Sequence, residues 1–356
     1  LEFRRVLFRS WVLGEAGINI DGEPSADWIN TILAKLADLP NVTMLPRTTV
    51  FGYMDHNFLT LIERVTDHLP RRPTYLPRQR LWKVRAKQVI NAQGAHERPL
   101  VFSGNDLPGI MLSGAVRTYI NRYGVLPGCR VIVVTNNDDA YHTALALHAA
   151  GAHVVIADLR ADPKGQLINA VRAAGIETLA GHAVIAAYGT RRVARVEIAS
   201  ISGDAITISS DVIHRDFDLV AMSGGLSPAV HLHSQARGKL QWDNAKLCFK
   251  PSTTHEASFN IGACNGSFDL AKGLREAVRA GSKAAHLTGW KADLLDAPSV
   301  AAPKQSWNPI AAWKIPNGLG AGQGPKAFVD FQNDVTANDV AMAAREGYQS
   351  VEHLKR

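Results

Sequence analysis

One stretch constrains this chain more than any other. Val131-Ile-Val-Val134 reads as a strand, residues 140–150 as a helix, and His153-Val-Val-Ile-Ala-Asp158 as the next strand. Two such strands joined by a helix must lie parallel in a sheet covered on its faces, the βαβ unit of the mononucleotide-binding kind. The turn between strand and helix, however, is Thr135-Asn-Asn-Asp-Asp139. A dinucleotide fingerprint needs glycines there so that backbone can touch the pyrophosphate. Here Thr135 and Asn137 put side chains in that space, and Asp138 and Asp139 add negative charge. Asp158 stands about twenty positions further on, the place of a ribose-binding acid. The turn favours a structural role over NAD(P) binding.

The surrounding pattern indicates more than one domain, as a length of 356 residues with 46% hydrophobic content allows. Ser25 or Asp27 is expected to cap a helix whose Trp28, Ile29, Ile32, Leu33 and Leu36 share one face. A short strand is expected at 41–45. Strand-like runs at 48–53, 58–65 and 81–85, with no helix between them, predict an antiparallel meander. A further strand at 87–92 ends in Gln93-Gly94-Ala95. After the βαβ unit come a helix at 165–174 and strand-like pieces at 183–188, 193–199 and 205–208. Asp218-Leu-Val-Ala-Met222 is expected to return to the first sheet. Phe259-Asn-Ile-Gly262 leads into a helix at 270–280, and residues 291–325, rich in Pro, Gly and Ala, read as a loose surface connection. Two short helices, 337–345 and 350–355, are expected at the end.

Several chemistries are unsupported. The three cysteines, Cys129, Cys248 and Cys264, contain no close pair, which argues against a dithiol relay, a zinc finger or a cysteine-held iron–sulfur cluster. His231 and His233 have no carboxylate or cysteine cluster beside them, so no metal is expected, and nothing groups a nucleophile with a base. Gly318-Leu-Gly-Ala-Gly-Gln-Gly324 has no strand before it and Pro325 after it, and reads as a linker. No stretch approaches the roughly 20 apolar residues of a membrane helix, and Arg4, Arg5 and Arg9 interrupt any signal core, so no membrane is expected and the chain reads as cytoplasmic. The net charge of +7 suits anionic partners without arguing for nucleic acid. The densest basic stretch, 71–87, is expected to decorate the solvent face of a hairpin.

Longer motifs carry a resemblance. Ile90-Asn-Ala-Gln-Gly-Ala-His-Glu-Arg-Pro-Leu-Val-Phe102, Asn105-Asp-Leu-Pro-Gly-Ile-Met-Leu112 and Arg117-Thr-Tyr-Ile-Asn-Arg-Tyr-Gly-Val125 closely resemble the α subunit of heterotetrameric sarcosine oxidase. So do Leu45-Pro-Arg-Thr-Thr-Val-Phe-Gly-Tyr53, Ala221-Met-Ser-Gly-Gly225 and Phe328-Val-Asp-Phe-Gln-Asn-Asp-Val-Thr336. The likeness runs from about Trp11 to the last residue, and the first ten residues fall outside it.

The resemblance implies an α/β, Rossmann-type fold like that of flavoproteins with two dinucleotide-binding domains. The first domain is split, a second is inserted in it, and a short helical segment follows. The expected divisions are 11–128 for an incomplete first part, 129–214 for the insert and 215–290 for the return. A linker at 291–325 and the start of a helical [2Fe–2S]-like domain at 326–356 complete them. The family's opening glycine loop and its later folate-binding domain are not matched, so the chain reads as the middle of a longer protein. The split domain would hold NAD, with Val50 at an adenine edge and Ala263, Phe268 and Leu270 at the turn and helix start after Gly262. Gly94 and Ala95 would lie beside the same cleft. Asp330 and Gln332 occupy two thiolate positions of related [2Fe–2S] domains, and neither supplies sulfur, so no cluster is expected.

The implied reaction is oxidative demethylation of sarcosine to glycine, with hydrogen peroxide and, from tetrahydrofolate, 5,10-methylenetetrahydrofolate. FAD and the amine-oxidising site would belong to the β subunit, FMN would sit at the α/β interface, and γ and δ subunits would complete the complex. No catalytic residue is expected on this chain. An α-type subunit of an opine or amino-acid dehydrogenase, or a non-catalytic nucleotide-binding interaction protein, are the alternatives.

Overall fold

In a computed structural model of the chain, the described residues are 17–303, 307, 309–319 and 323–354. The first sixteen residues, including the unmatched start, lie outside them. The chain divides into two compact units, the first made of residues up to 96 together with 226–303, the second of 97–225 together with the segment from 304 onward. A split unit interrupted by an inserted one is therefore the arrangement found. The crossings fall at 96/97 and 225/226, not at the expected 128/129 and 214/215.

In the first unit the helix Ser25–Ala37 begins after Pro24, which occupies the N-cap without a side-chain bond, so neither Ser25 nor Asp27 caps it. Residues 41–45 form no strand. The meander is present: Thr48–Met54, Phe58–Arg64 and Gln79–Arg85 pair antiparallel in that order. Its alternation buries Tyr53 and Leu59 against Leu232 of the short helix His231–Gln235 and Ala236 directly after it. Val89–Asn91 runs parallel to Ser258–Asn260, and the strand Ser258–Asn260 precedes the helix Leu270–Leu287.

The second unit is built on a five-stranded sheet. Arg130–Thr135 pairs in parallel with His153–Asp158 on one side and with Leu219–Ser223 on the other. Glu177–Ala180 and Ile110–Leu112 flank these. Every residue from Val131 to Val134 is fully buried, as a strand covered on both faces requires. The period of two sorts them. Val131, Val133 and Ile156 meet Tyr141, Leu147 and Ile168 from the helices, while Ile132, Val134 and Val155 meet Val184, Ile198 and Val196. The latter belong to a three-stranded antiparallel sheet, His182–Tyr188, Arg195–Ile201 and Ile208–Asp216.

Two expectations are corrected here. Leu219–Ser223 does not return to the first sheet but pairs with Arg130–Thr135, because a strand buried along its whole length fits any doubly covered position. Residues 291–325 are not simply a surface connection. Ile315 is 1% exposed in the second core, its N–H donates to the Val101 carbonyl, and Ile310 and Ala312 pack beside it. Gly318 begins a turn, while Gly320 to Gly322 lie outside the described residues. The final helices are Ala337–Arg345, with a Thr336–Asp339 capping box, and Val351–Leu354. Among the described residues no helix is long and apolar enough to cross a membrane.

Candidate dinucleotide sites

In the first unit the parallel pair ends in a tightly tied turn. Asn91 Nδ2 donates to Asn260 Oδ1 at 3.2 Å, and the Asn91 carbonyl accepts from Ile261 N–H at 3.0 Å and from Cys264 Sγ at 3.0 Å. The chain then makes the 3-10 turn Gly262–Asn265, with φ +63° at Gly262 and +72° at Gly266. Asp269 caps the helix Leu270–Leu287 by accepting from Lys272 N–H at 2.7 Å. From the next turn of that helix Glu276 reaches back and accepts from Gly262 N–H at 2.8 Å and from Ser267 Oγ.

These partners decide what the turn can receive. A helix start attracts anions, but Asp269 and Glu276 already place two carboxylates there. The turn therefore fits an uncharged polar edge, such as a ribose hydroxyl or the rim of a base, better than a phosphate. Ala263 lies in this turn, Phe268 lies under Lys246 Nζ at 6.0 Å from its ring, and Leu270 opens the helix, all three half-buried. Gly94 adopts φ +78°, its carbonyl accepts from Ala229 N–H at 2.9 Å, and a Cβ on it would meet nothing within 4 Å. Ala95 follows it, half-buried. Val50 packs on the cluster that also takes in Val89 of the parallel pair. Its strand packs on the meander's inner cluster with Tyr53, Leu59 and Leu61.

In the second unit the crevice at the carboxyl ends of the strands is where a Rossmann sheet receives its ligand. Side chains fill it. Asn137 Nδ2 donates to Ser223 Oγ at 3.0 Å and to the Ser223 carbonyl at 3.2 Å. Asn136 Nδ2 donates to the Ile310 carbonyl at 2.9 Å, and Thr135 Oγ1 donates to the Asn137 carbonyl at 3.0 Å. Asp158 is not open to a ribose. Its carboxylate is fully enclosed, accepting from Tyr141 Oη at 2.8 Å and from Arg160. Burial, with the charge of Asp158, drives the Tyr141 hydroxyl far above its ordinary range. Burial opposes the Arg160 charge, but its bonds to Asp158 and Asp138 outweigh that and raise its affinity for the proton.

Arg160 and Glu97 were not singled out from the sequence. The spacing Asp158-Leu-Arg160 was a usable signal, because a cation two residues past a strand-end acid can fold back on it. Glu97 gives no such local cue. Its Oε2 accepts from Gly114 N–H at 2.8 Å, at the start of the helix Ser113–Tyr123, and its Oε1 is shut off from solvent. Burial pushes the Glu97 carboxyl up to about 7, and the nearby Asp139 charge adds to this against the Gly114 N–H. Arg117 Nη2 pairs with Asp139 Oδ2 at 3.1 Å. Burial lowers His142, on the same helix as Asp139, to about 4.

In the tail Asp330 Oδ1 accepts from Gln332 N–H at 2.9 Å and Asn333 N–H at 3.2 Å, so the carboxylate shapes a turn. His233 is buried, with Nε2 2.9 Å from the Lys239 carbonyl and Nδ1 3.1 Å from Asn260 Nδ2. No group of three His, Cys, Asp or Glu able to hold a metal occurs among the described residues.

An inserted parallel sheet, with helices on one face and an antiparallel sheet on the other, defines the class: an α/β, Rossmann-type dinucleotide-binding fold. The solved L-proline dehydrogenase of P. horikoshii matches 98% of this chain and 61% of its own, with a TM-score of 0.61 and 17% identity. In sequence the chain is similar to sarcosine oxidase α subunits. It is 38% identical to that of Corynebacterium sp. (strain P-1) over 96% of this chain and 35% of the relative. It is 36% identical to that of Rhizobium meliloti (strain 1021) over 95% of this chain and 32% of the relative. Residues 324–356 match the family model described as the Sarcosine oxidase A3 domain. The chain thus spans about a third of the length of these curated relatives, and the opine-type alternative is not favoured.

Proposed function

We propose that this chain is the nucleotide-binding part of an α subunit in a multi-subunit sarcosine oxidase, at work in the cytoplasm. The complex would oxidatively demethylate sarcosine to glycine, forming hydrogen peroxide and passing the one-carbon unit to tetrahydrofolate as 5,10-methylenetetrahydrofolate. Flavins would supply the redox chemistry, FAD on the β subunit at the amine and FMN shared between α and β at oxygen. This chain would hold NAD in its first unit, with Ala263, Phe268 and Leu270 beside the Gly262 turn, Gly94 and Ala95 as close-approach positions, and Val50 at an adenine edge. It contributes no catalytic residue, and γ and δ subunits complete the assembly.

The observation that carries the reading is the 38% identity sustained along 96% of the chain. The packing supports the choice of unit for NAD. The second crevice is filled by Asn136 and Asn137, whereas Gly94 has open space beside it. The donor set at the Gly262 turn suits the uncharged portions of a dinucleotide and leaves the pyrophosphate to other residues.

The test is to purify the full-length subunit with and without its β partner. Sarcosine-dependent peroxide is expected from the complex alone, and its production by the isolated subunit would overturn this division of labour. Acid extraction and chromatography should recover NAD from the full-length subunit. A preparation without NAD would remove the proposed site.

A further inference from the structure

The meander has a second face that the proposed function does not use. Its register sets Arg85 beside Phe58 and Met54, Lys83 beside Thr60 and Gly52, and Leu81 beside Ile62. Side chains one residue out of step, Tyr53 and Leu59 among them, point inward to the small core. On the outward face Phe51 and Met54 are 51% and 45% exposed. With Phe58 and Arg85, and across the edge strand Tyr53, Gln235 and Arg237, they line an open hollow of about 560 Å³. Arg85 lies over the Phe58 ring at 5.5 Å, and Arg237 pairs with Asp55 at 2.8 Å on the rim.

Charge is concentrated on the same element. Residues 47–87 hold nine Arg and Lys side chains against three acids, Asp55, Glu63 and Asp67, a formal +6 in a chain whose total is +7. Arg78 and Arg80 pair with Asp67 and Glu63. Lys83 and Arg85 form no ion pair with a described carboxylate, and both are exposed. The segment 47–87, its strands and the loop between them together, therefore carries nearly all the excess charge of the molecule. On the outward face Lys83 and Arg85 stand without a described acid to offset them, a self-repulsion that an acidic surface would relieve.

We propose that this outward face docks an acidic segment of another protein, which places a bulky apolar side chain in the hollow between Phe51, Met54 and Phe58. The proposal rests on the reading of the chain as part of a multi-subunit assembly and names another subunit of that assembly as the partner. An apolar centre inside a charged rim is the anatomy of a protein interface. A nucleic-acid strand instead tracks along a continuous cationic groove.

The test uses the full-length subunit co-expressed with its partner subunits. Compared are the unaltered chain, the double variant Lys83→Glu/Arg85→Glu, the single variant Met54→Asp, and the conservative Lys83→Arg/Arg85→Lys. The altered side chains are exposed, so thermal midpoints should stay within about 2 °C of the unaltered chain. The double variant and Met54→Asp should each retain at least about tenfold less partner at roughly 0.15 M salt, and the conservative variant should retain it fully. Full assembly by the charge-reversed and Met54→Asp variants overturns the docking face while leaving the proposed function standing. Failure of the unaltered chain to assemble overturns both. Binding of a poly(U) probe that the charge reversal abolishes, with assembly unaffected, assigns the face to nucleic acid and overturns the proposal.

Discussion

Arg160 holds Asp158 from two directions: its backbone N–H lies 2.9 Å from Oδ1 and its Nη2 lies 2.7 Å from Oδ2. The remaining arm, Nη1, reaches Asp138 Oδ1 at 2.7 Å. Both carboxylates are almost wholly enclosed, at 0% and 1% side-chain exposure. Arg160→Ala strands two buried acids and is expected to cost about 3–5 kcal/mol in chemical denaturation. A loss below about 1 kcal/mol would show that the acids are solvated or protonated instead.

Glu97 gives the second unit a pH dependence of known sign. Its carboxyl is raised from 4.5 to about 7, so the folded state binds the proton more tightly than the unfolded chain. The stability this contributes is present below pH 4.5 and is lost as pH rises through 7. Glu97→Gln should match the parent near pH 5 and exceed it by roughly 1–3 kcal/mol near pH 8.5. Equal stability of the two proteins at the higher pH would refute the assignment. His142 acts in the opposite sense: lowered from 6.5 to about 4, it withdraws stability as pH falls through that interval.

Two glycines with nearly equal φ should respond differently to alanine. Gly104 has φ +77°, and a Cβ there would lie 2.3 Å from the Ala187 carbonyl oxygen. Gly175 has φ +73° with nothing within 4 Å. Gly175→Ala should cost about 1 kcal/mol from backbone strain alone, and Gly104→Ala about 2–4 kcal/mol because strand backbone must move. Comparable melting temperatures for the two variants would contradict the packing described at Gly104.

At the Gly262 turn, Ala263→Phe fills the space assigned to the dinucleotide. In the full-length subunit it should lower the NAD recovered per polypeptide by about tenfold, equivalent to about 1.4 kcal/mol. Undiminished NAD in a folded variant would place the cofactor elsewhere.

Much of the fold was legible because local periodicity specifies it. The alternation in Phe58–Arg64 and the apolar run Val131 to Val134 named a meander strand and a buried parallel strand. What periodicity does not carry is partnership. Leu219–Ser223 is buried along its whole length, so its sequence holds no preference between two sheets, and its place came from the tertiary assembly. Ile310 and Ile315 were hidden by their Pro- and Gly-rich surroundings, since isolated apolar residues have no period. At the site, the poor fit of the Thr135–Asp139 turn to phosphate was readable from residue types. Its occupation by Asn136 and Asn137 depended on Ser223 and Ile310, far away in sequence. Glu97 was invisible for the same reason, because its burial is made by a helix start it meets only on folding.

The asparagines wedged across the inserted sheet also set a ceiling on loading. A polypeptide with two Rossmann-like halves would ordinarily offer two berths, yet in this one Asn137 has tied off the upper mouth against Ser223. Titrated with dinucleotide, the inserted unit should therefore take up none in that crevice.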